Sequence, residues 1–278
     1  MKAFRYIEGT EYFTKELKEK IRKSLLTHIE LLKKAHSGFQ KGSNWGIIQD
    51  GGLFHIGVHF NDRDIISLAL ERLNQETDLQ FMSDGAQWEQ SSGYHNEVLI
   101  VLLDIVIDAD KNNISLPDGL RKKIEKMAEA ALKTVKPNGH NPLFGDSDDT
   151  DIRDIMSRCA LVFGRADFKY YGFDCLDFNT VWLTGAESIE EYNKIDRQPP
   201  SFDNAFLTDS GNYILRENQT NTSNYLCFHN GYTGAGHAHA DKLHFDLMIK
   251  GRDVLVDAGR YTYLNNAQRR YIKKSQGT

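Results

Sequence analysis

The sequence predicts an α+β multidomain protein in which a helical array precedes an antiparallel sheet, and three observations predict it. Up to about residue 165 the apolar residues recur at helical spacing. After the Pro199-Pro200 pair the pattern changes to short β-rich runs. The last two runs flank Lys250-Gly251-Arg252, a compact glycine-bearing turn that makes them an antiparallel hairpin. A boundary follows, with a helical domain over residues 1–198 and a β domain over residues 199–278.

Phe13, Leu17, Ile21, Leu25, Ile29 and Leu32, with lysine and glutamate between them, form the apolar stripe of a first amphipathic helix. Similar stripes run from Ile47 to Phe60, Ile65 to Leu73, Tyr94 to Ile107, Leu120 to Leu132 behind Pro117 and Asp118, and Ile152 to Phe163. Short connections between successive helices favour antiparallel neighbours, so a helical hairpin array or toroid is expected rather than an α/β fold. The β-rich runs are Tyr213 to Leu215, Tyr225 to His229, Leu243 to Lys250 and Val254 to Asp257, and RRYIKKSQGT follows them without a closing element, as in a sheet cut short.

With 278 residues, 40% hydrophobic and 11% aromatic, the chain can bury a core, and disorder is not the expectation. A net charge of −5 and a pI near 6.1 give no overall basic field for nucleic acid or an anionic membrane, so an acidic substrate would be attracted locally. Cys159, Cys175 and Cys227 form no CxxC pair and are odd in number, which points to packing rather than a disulfide framework or a cysteine zinc site. No apolar stretch approaches the roughly 20 residues of a membrane span, and the N-terminus lacks the apolar core of a signal peptide.

Four clusters are candidates for chemistry. In Gly42-Ser43-Asn44-Trp45-Gly46, Asn44 is either a helix cap or a functional amide. The polar loop from Asp84 to Asn96 offers Trp88 for stacking on a sugar ring, and Tyr94 and His95 for proton exchange if a nearby positive charge lowers the tyrosine pKa from about 10. Its alternative is a capped helix start with buried aromatics. Asn141 to Asp151 is dense in carboxylates but lacks the EF-hand order of ligands, and its bland reading is a complement to a helix dipole. The sharpest cluster is Gly234-Ala235-Gly236-His237-Ala238-His239-Ala240-Asp241 with the downstream Val256-Asp257-Ala258-Gly259. Two histidines at spacing two share one face of an extended segment, and His with Asp suits a divalent metal such as zinc, unless the group is a satisfied polar network. A turn centred on Lys250-Gly251 sets Asp257 opposite His244 rather than His239, so His244 is an alternative ligand.

Taken in order, the Asn44 segment, the Asp84 to His95 run, PLFGDSDD and GHAHADKLHFDLMIKGRDVLVDAGRYTY resemble successive landmarks of the heparinase II/III-like polysaccharide lyases, from about residue 40 onward. The resemblance implies an incomplete (α/α) toroid followed by an antiparallel β-sandwich, with the substrate cleft between them. It also implies roles. Asn44 matches the family's carboxylate-neutralising asparagine, Tyr94 its catalytic tyrosine and His237 its catalytic histidine. His239 and Asp257 match two ligands of a structural metal, usually zinc, whose third ligand is expected beyond the end of this chain. Trp88, Glu89, His95 and Arg260 are the expected substrate contacts. The family is often periplasmic or secreted.

The implied reaction is β-elimination on a uronic-acid-containing glycan, with a heparin or heparan sulfate-like polysaccharide as the first expectation. An amide neutralises the uronate carboxylate, a base takes the C5 proton, and an acid protonates the departing O4. Two competitors are kept. A glycoside hydrolase on an α/α toroid would need two carboxylates such as Glu89 and Asp149 flanking the bond. A catalytically silent glycan-binding protein would use Trp88, Trp45 and the tyrosines for stacking. Arg216, Lys242 and Arg260 are candidate contacts to anionic groups, or simply exposed basic side chains.

Overall fold

The computed structural model describes residues 2–232 and 234–274. Packing divides the chain into two compact units, Met1–Leu79 with Asp104–Leu120, and Gln80–Leu103 with Arg121–Thr278. This division follows contacts, whereas the boundary at 198/199 follows composition, and they cut the chain at different places.

The first unit holds α1 (Lys2–Ile7), α2 (Lys15–Lys34), α3 (Gly38–Lys41), α4 (Asn44–Phe60) and nearly all of α5 (Arg63–Gln80). Thr14 starts α2 by accepting the Leu17 N–H, and Lys33 and Lys34 sit in its last turn, where cations suit the helix dipole. Helix α4 departs from the predicted amphipathic pattern. It buries Ile47, Asp50, Leu53, Phe54 and Ile56 around most of its circumference, and ends at Asn61 in the left-handed region (φ 52°). Asn44 is its first residue and Ser43 holds the cap position, so the cap reading of Asn44 is corrected. Asp108 ties α1 to α4 by accepting from Arg5 at 2.6 Å and His55 Nδ1 at 2.5 Å.

The second unit holds the first turns of α6 (Ser92–Lys111), then α7 (Leu120–Thr134), α8 (Arg153–Phe163), α9 (Ala166–Tyr171), α10 (Phe178–Thr184) and α11 (Glu187–Lys194). The last three were not predicted. With six to eight residues each, they are too short for a periodic signal and are held by tertiary bonds. Lys169 Nζ donates to the carbonyls of Tyr192 and Ile195 at 2.7 and 2.6 Å, and the Tyr192 hydroxyl donates to Phe173 O at 2.6 Å.

The sheet is a five-stranded antiparallel meander, β1 (Ala205–Leu207), β2 (Asn212–Arg216), β3 (Tyr225–His229), β4 (His244–Ile249) and β5 (Arg252–Leu255), in that order. The predicted hairpin is present, but β5 begins earlier than the predicted run and a bulge interrupts its register at Leu247/Met248. Asp257 therefore lies beyond the strand, and His244 pairs across to His229 instead. One face of the sheet packs Ala205, Leu207, Ile214, Tyr225, Cys227 and Met248 against Ala130 and Phe144. Burial pushes the Cys227 thiol up to about 12, as suits a packing residue. A short α12 (Ala267–Ile272), started by Asn266 accepting the Arg269 N–H, occupies the basic stretch read as helix-neutral. Among the described residues no helix is long and apolar enough to cross a membrane.

The sheet is fastened to the end of α7 by the buried Tyr225 hydroxyl, which donates to Thr134 O at 2.7 Å. Tyr225→Phe leaves that carbonyl unpaired and is expected to lower unfolding free energy by about 1–2 kcal/mol in chemical denaturation. Phe206→Ala, on the exposed face of β1, is expected to change it by less than about 0.5 kcal/mol.

Candidate active site

Within the second unit, Tyr94 on the first turn of α6 and His237 in the β3–β4 connection come together. Their rings are stacked with centroids 3.4 Å apart and planes 11° from parallel. The Tyr94 hydroxyl lies 2.5 Å from the Tyr263 hydroxyl. Tyr94 lines a cavity of about 310 Å³ with Asn96, Glu97, Asp146, Arg260 and Tyr263. Burial pushes the Tyr94 pKa well up, and the Tyr263 hydrogen bond adds to it. The structure thus corrects the expectation of a lowered tyrosine pKa, and leaves Tyr94 a proton donor.

Asp146, by sequence only one of several carboxylates ahead of a helix, organises the site. Its Oδ2 accepts from His237 Nδ1 at 3.1 Å and from Arg269 at 2.5 Å, and its Oδ1 faces His239 Nε2 at 3.0 Å. Lys273 Nζ stands 3.7 Å away. Burial alone would raise the Asp146 pKa, but the bonds from His237, His239 and Arg269 outweigh it and hold the carboxyl below its ordinary range. A carboxylate on Nδ1 fixes the proton on that nitrogen and leaves the His237 Nε2 lone pair for chemistry. The same loop also supplies the dipole complement that was expected, through Asp151, which accepts the Arg153 N–H at the start of α8.

The backbone explains the glycines. Gly145 adopts φ +68°, and a Cβ there would stand 2.6 Å from Gln90 O and 2.9 Å from His237 O. Gly234 lies so close to the Trp88 and Glu89 backbone that a Cβ would meet Trp88 O at 2.5 Å. The His237 segment is a turn followed by irregular chain, not the predicted extended strand, and the two histidines converge on opposite oxygens of one carboxylate.

His239 and Asp257 are brought together as expected, with His239 Nδ1 3.2 Å from Asp257 Oδ1. Asp241 joins them, so that ligand atoms of His239, Asp241 and Asp257 all lie within 4.8 Å of one another. A third ligand-type side chain thus stands beside the pair within this chain. His244 instead hydrogen-bonds Asp246 at 3.0 Å. All three residues are buried, and Asp241 Oδ2 is buried with no hydrogen-bond partner, an orphan that a cation would satisfy. The group fits a divalent metal. Burial lowers the His239 pKa, but its bonds to Asp146 and Asp257 outweigh that and push it up to about 9, so without a cation this imidazole carries a proton.

Other predicted contacts fall elsewhere. His95 is fully enclosed, its Nε2 bonded to Met127 O at 3.0 Å and its Nδ1 accepting the Gln87 N–H at 3.3 Å, and burial pushes its pKa down to about 4. No ring nitrogen remains for a substrate, which corrects both its proton-exchange and its contact role. Glu89 is buried, Trp88 is half-buried, and neither lines the cavity. Asp149 pairs with His140 at 2.9 Å, so the two carboxylates offered for a hydrolase do not flank this cavity. Arg260 does line it, paired with Asp148 at 2.7 Å. Asn44 belongs to the first unit, where its Oδ1 is buried without a hydrogen-bond partner.

Comparison with known proteins gives two family matches in sequence order. Residues 1–170 match the family profile described as heparinase II/III N-terminus, and residues 199–277 match the one described as heparinase II/III-like, C-terminal. A heparin-sulfate lyase of Pedobacter heparinus is 27% identical over 197 residues, covering 69% of this chain and 27% of the relative. One from Bacteroides thetaiotaomicron is 24% identical over 246 residues, covering 81% of this chain and 34% of the relative. The chain therefore spans about a third of these relatives' length or less. Crystal structures of heparinase III and of heparan sulfate lyase HepC from Pedobacter heparinus share its fold, with TM-scores of 0.80 and 0.72 at 20% and 23% identity. Each covers 97% of this chain, and the chain covers 43% and 41% of them respectively. With both profiles met in order along one chain, and the first over more than half of its residues, the protein belongs to the heparinase II/III family.

Proposed function

We propose that the chain carries the catalytic groups of a polysaccharide lyase acting on a uronic-acid glycan, with heparan sulfate as the substrate. The observation that carries this reading is the Tyr94 phenol stacked on His237, which is itself oriented by Asp146, beside a cavity. The names of the curated relatives supply the substrate.

The C5 proton of a uronate is acidic only when the adjacent carboxylate is neutralised, so an amide donor is required where charge develops. Asn44 is the residue that the family resemblance implies for this role, through the N–H donors of its amide. With Nδ1 held by Asp146, His237 takes the C5 proton through Nε2. Tyr94, kept protonated by burial, gives its proton to the departing O4. The C4–O4 bond breaks as the C4–C5 double bond forms, and no water is consumed. Arg260 at the cavity is the residue for an anionic group of the sugar, once it exchanges Asp148 for the ligand. Zinc is the proposed ion for His239, Asp241 and Asp257, where it would cross-link the chain on either side of the β4–β5 hairpin. A folding boundary at 198/199 remains part of the proposal.

Incubation with heparan sulfate is expected to raise ultraviolet absorbance as the unsaturated uronate forms, and Tyr94→Phe or His237→Ala to cut the rate by roughly 10²–10⁴-fold without loss of folding. No rise from folded protein on heparan sulfate, hyaluronan or alginate would sink the lyase reading, and reducing ends without absorbance would indicate hydrolysis. Asn44→Ala should cost about 10²–10³-fold in kcat. An unchanged kcat would remove Asn44 from the mechanism. Zinc added to chelator-treated protein should stabilise it by roughly 2.7 kcal/mol at about 100 times Kd, read as a rise in Tm that His239→Ala diminishes. An equal rise in the variant would refute this ligand set.

A further inference from the structure

A second group of ligand-type side chains lies in the first unit. His36 follows α2, Asp50 is in the middle of α4 and Glu76 is near the end of α5. His36 Nδ1 stands 3.6 Å from both Asp50 Oδ2 and Glu76 Oε1. We propose that His36, Asp50 and Glu76 form a cation site inside the helical unit, taking a first-row divalent transition ion such as Zn²⁺.

The geometry fits such an ion. Ligand atoms at 2.0–2.2 Å from a tetrahedral centre stand roughly 3.3–3.6 Å apart, which is the spacing observed from the imidazole to each carboxylate. The Asp50 side chain is 1% exposed and that of Glu76 0%, while His36 at 15% gives the site its opening to solvent. With both carboxyls ionised, four buried ligand atoms have no hydrogen-bond donor, namely His36 Nδ1, Asp50 Oδ2 and both oxygens of Glu76, although a proton between Asp50 and Glu76 would join those two side chains. Orphan carboxylate oxygens in the interior are costly enough that a missing partner is the expected explanation. Gly46 permits the close approach of Glu76, because a Cβ there would meet Gln40 O at 2.3 Å and Glu76 Oε1 at 2.4 Å. Arg72 donates to the other Asp50 oxygen at 3.3 Å and so aims Oδ2 at the group. One imidazole and two carboxylates are a ligand set for zinc or manganese rather than for calcium, which prefers six or more oxygens.

The competing arrangement is a proton in place of the cation. Burial, followed by the Asp50 charge, pushes the Glu76 pKa up to about 9, while burial and Arg72 push His36 down. With a neutral imidazole the close contacts are not ion pairs, and the two carboxylates must share either a proton or a metal ion.

The experiment uses the full chain with His239→Ala and Asp257→Asn as background, which removes the other ligand group. After chelator treatment, ZnCl₂ and MnCl₂ are titrated by calorimetry and bound metal is measured by mass spectrometry. The expected result is one equivalent of bound ion, with His36→Ala weakening binding by more than about 10-fold, the loss that even outer-shell changes produce. Glu76→Gln keeps the volume and mimics the protonated form. It should leave the metal-free Tm nearly unchanged while abolishing the rise on adding zinc. No bound equivalent of either ion in the background protein, together with an unaltered Tm response in Glu76→Gln, would overturn the site and leave the shared proton. If the background protein does not fold, the wild type and its His36→Ala variant are compared instead. A difference of one equivalent supports the site, and equal stoichiometry overturns it. Metal content and Tm are read without turnover, so the result is independent of the lyase reading.

Discussion

Asp146 is a carboxylate with almost no solvent exposure, and an isolated charge in that position would cost several kcal/mol of desolvation. It is retained because four donors meet it, two from the β3–β4 connection and two from the α12 segment, some 91 to 123 residues further along the chain for the hydrogen-bonded ones. Neither of those segments has an apolar stripe of its own to place it. Their position is set by the charge they neutralise, and the backbone bond from the Asp146 N–H to His237 O at 2.8 Å fixes the register of the approach. The orientation of His237 follows, and with it the stacking on Tyr94. The second oxygen of the same carboxylate holds His239, so the catalytic candidate and the metal-ligand candidate share one anchor.

Gly145 is the condition on which that anchor depends. A side chain there would strike both Gln90 O and His237 O, so the Asp146 carboxylate can reach the histidines only because the residue before it has no Cβ and accepts a positive φ. Ser147 secures the other side, receiving the Gly93 N–H at 2.9 Å and so seating the loop on the start of α6. Tyr94, the next residue of that helix, is thereby positioned by the loop that positions its partner.

The long helices were legible because 15 to 20 residues carry several turns of periodicity, and the hairpin because its turn chemistry is local. The residue types of the site were also legible, since Tyr94, His237, His239 and Asp257 stand in sharp motifs. What the sequence concealed was pairing. Asp146, Asp241, Tyr263 and Arg269 look like ordinary polar residues until distant segments close on one another. The confusion of His95 with a site residue has the same origin: one step along an α-helix turns the side chain by about 100°. Tyr94 therefore faces the cavity, and His95 the Met127 carbonyl of α7.

The protonation states decide how the proposed elimination divides its labour. If Tyr94 served as both base and acid, it would first have to ionise against burial, against Tyr263 and against the charges of Glu97 and Asp146, each of which raises its pKa. Every unit of that rise costs about 1.4 kcal/mol before any bond breaks. Arg260, the cation that lines the cavity, is paired with Asp148 in an exposed position and offers little relief. Asp146 on Nδ1 leaves Nε2 as the nitrogen of His237 that can take the proton. A reaction in which His237 removes the proton and Tyr94 returns one to O4 starts from the protonated Tyr94 that its environment favours. The reverse assignment needs Tyr94 to ionise first, against the burial and charges that hold its proton, so the stacked pair is better arranged as base and acid than as a tyrosine acting alone.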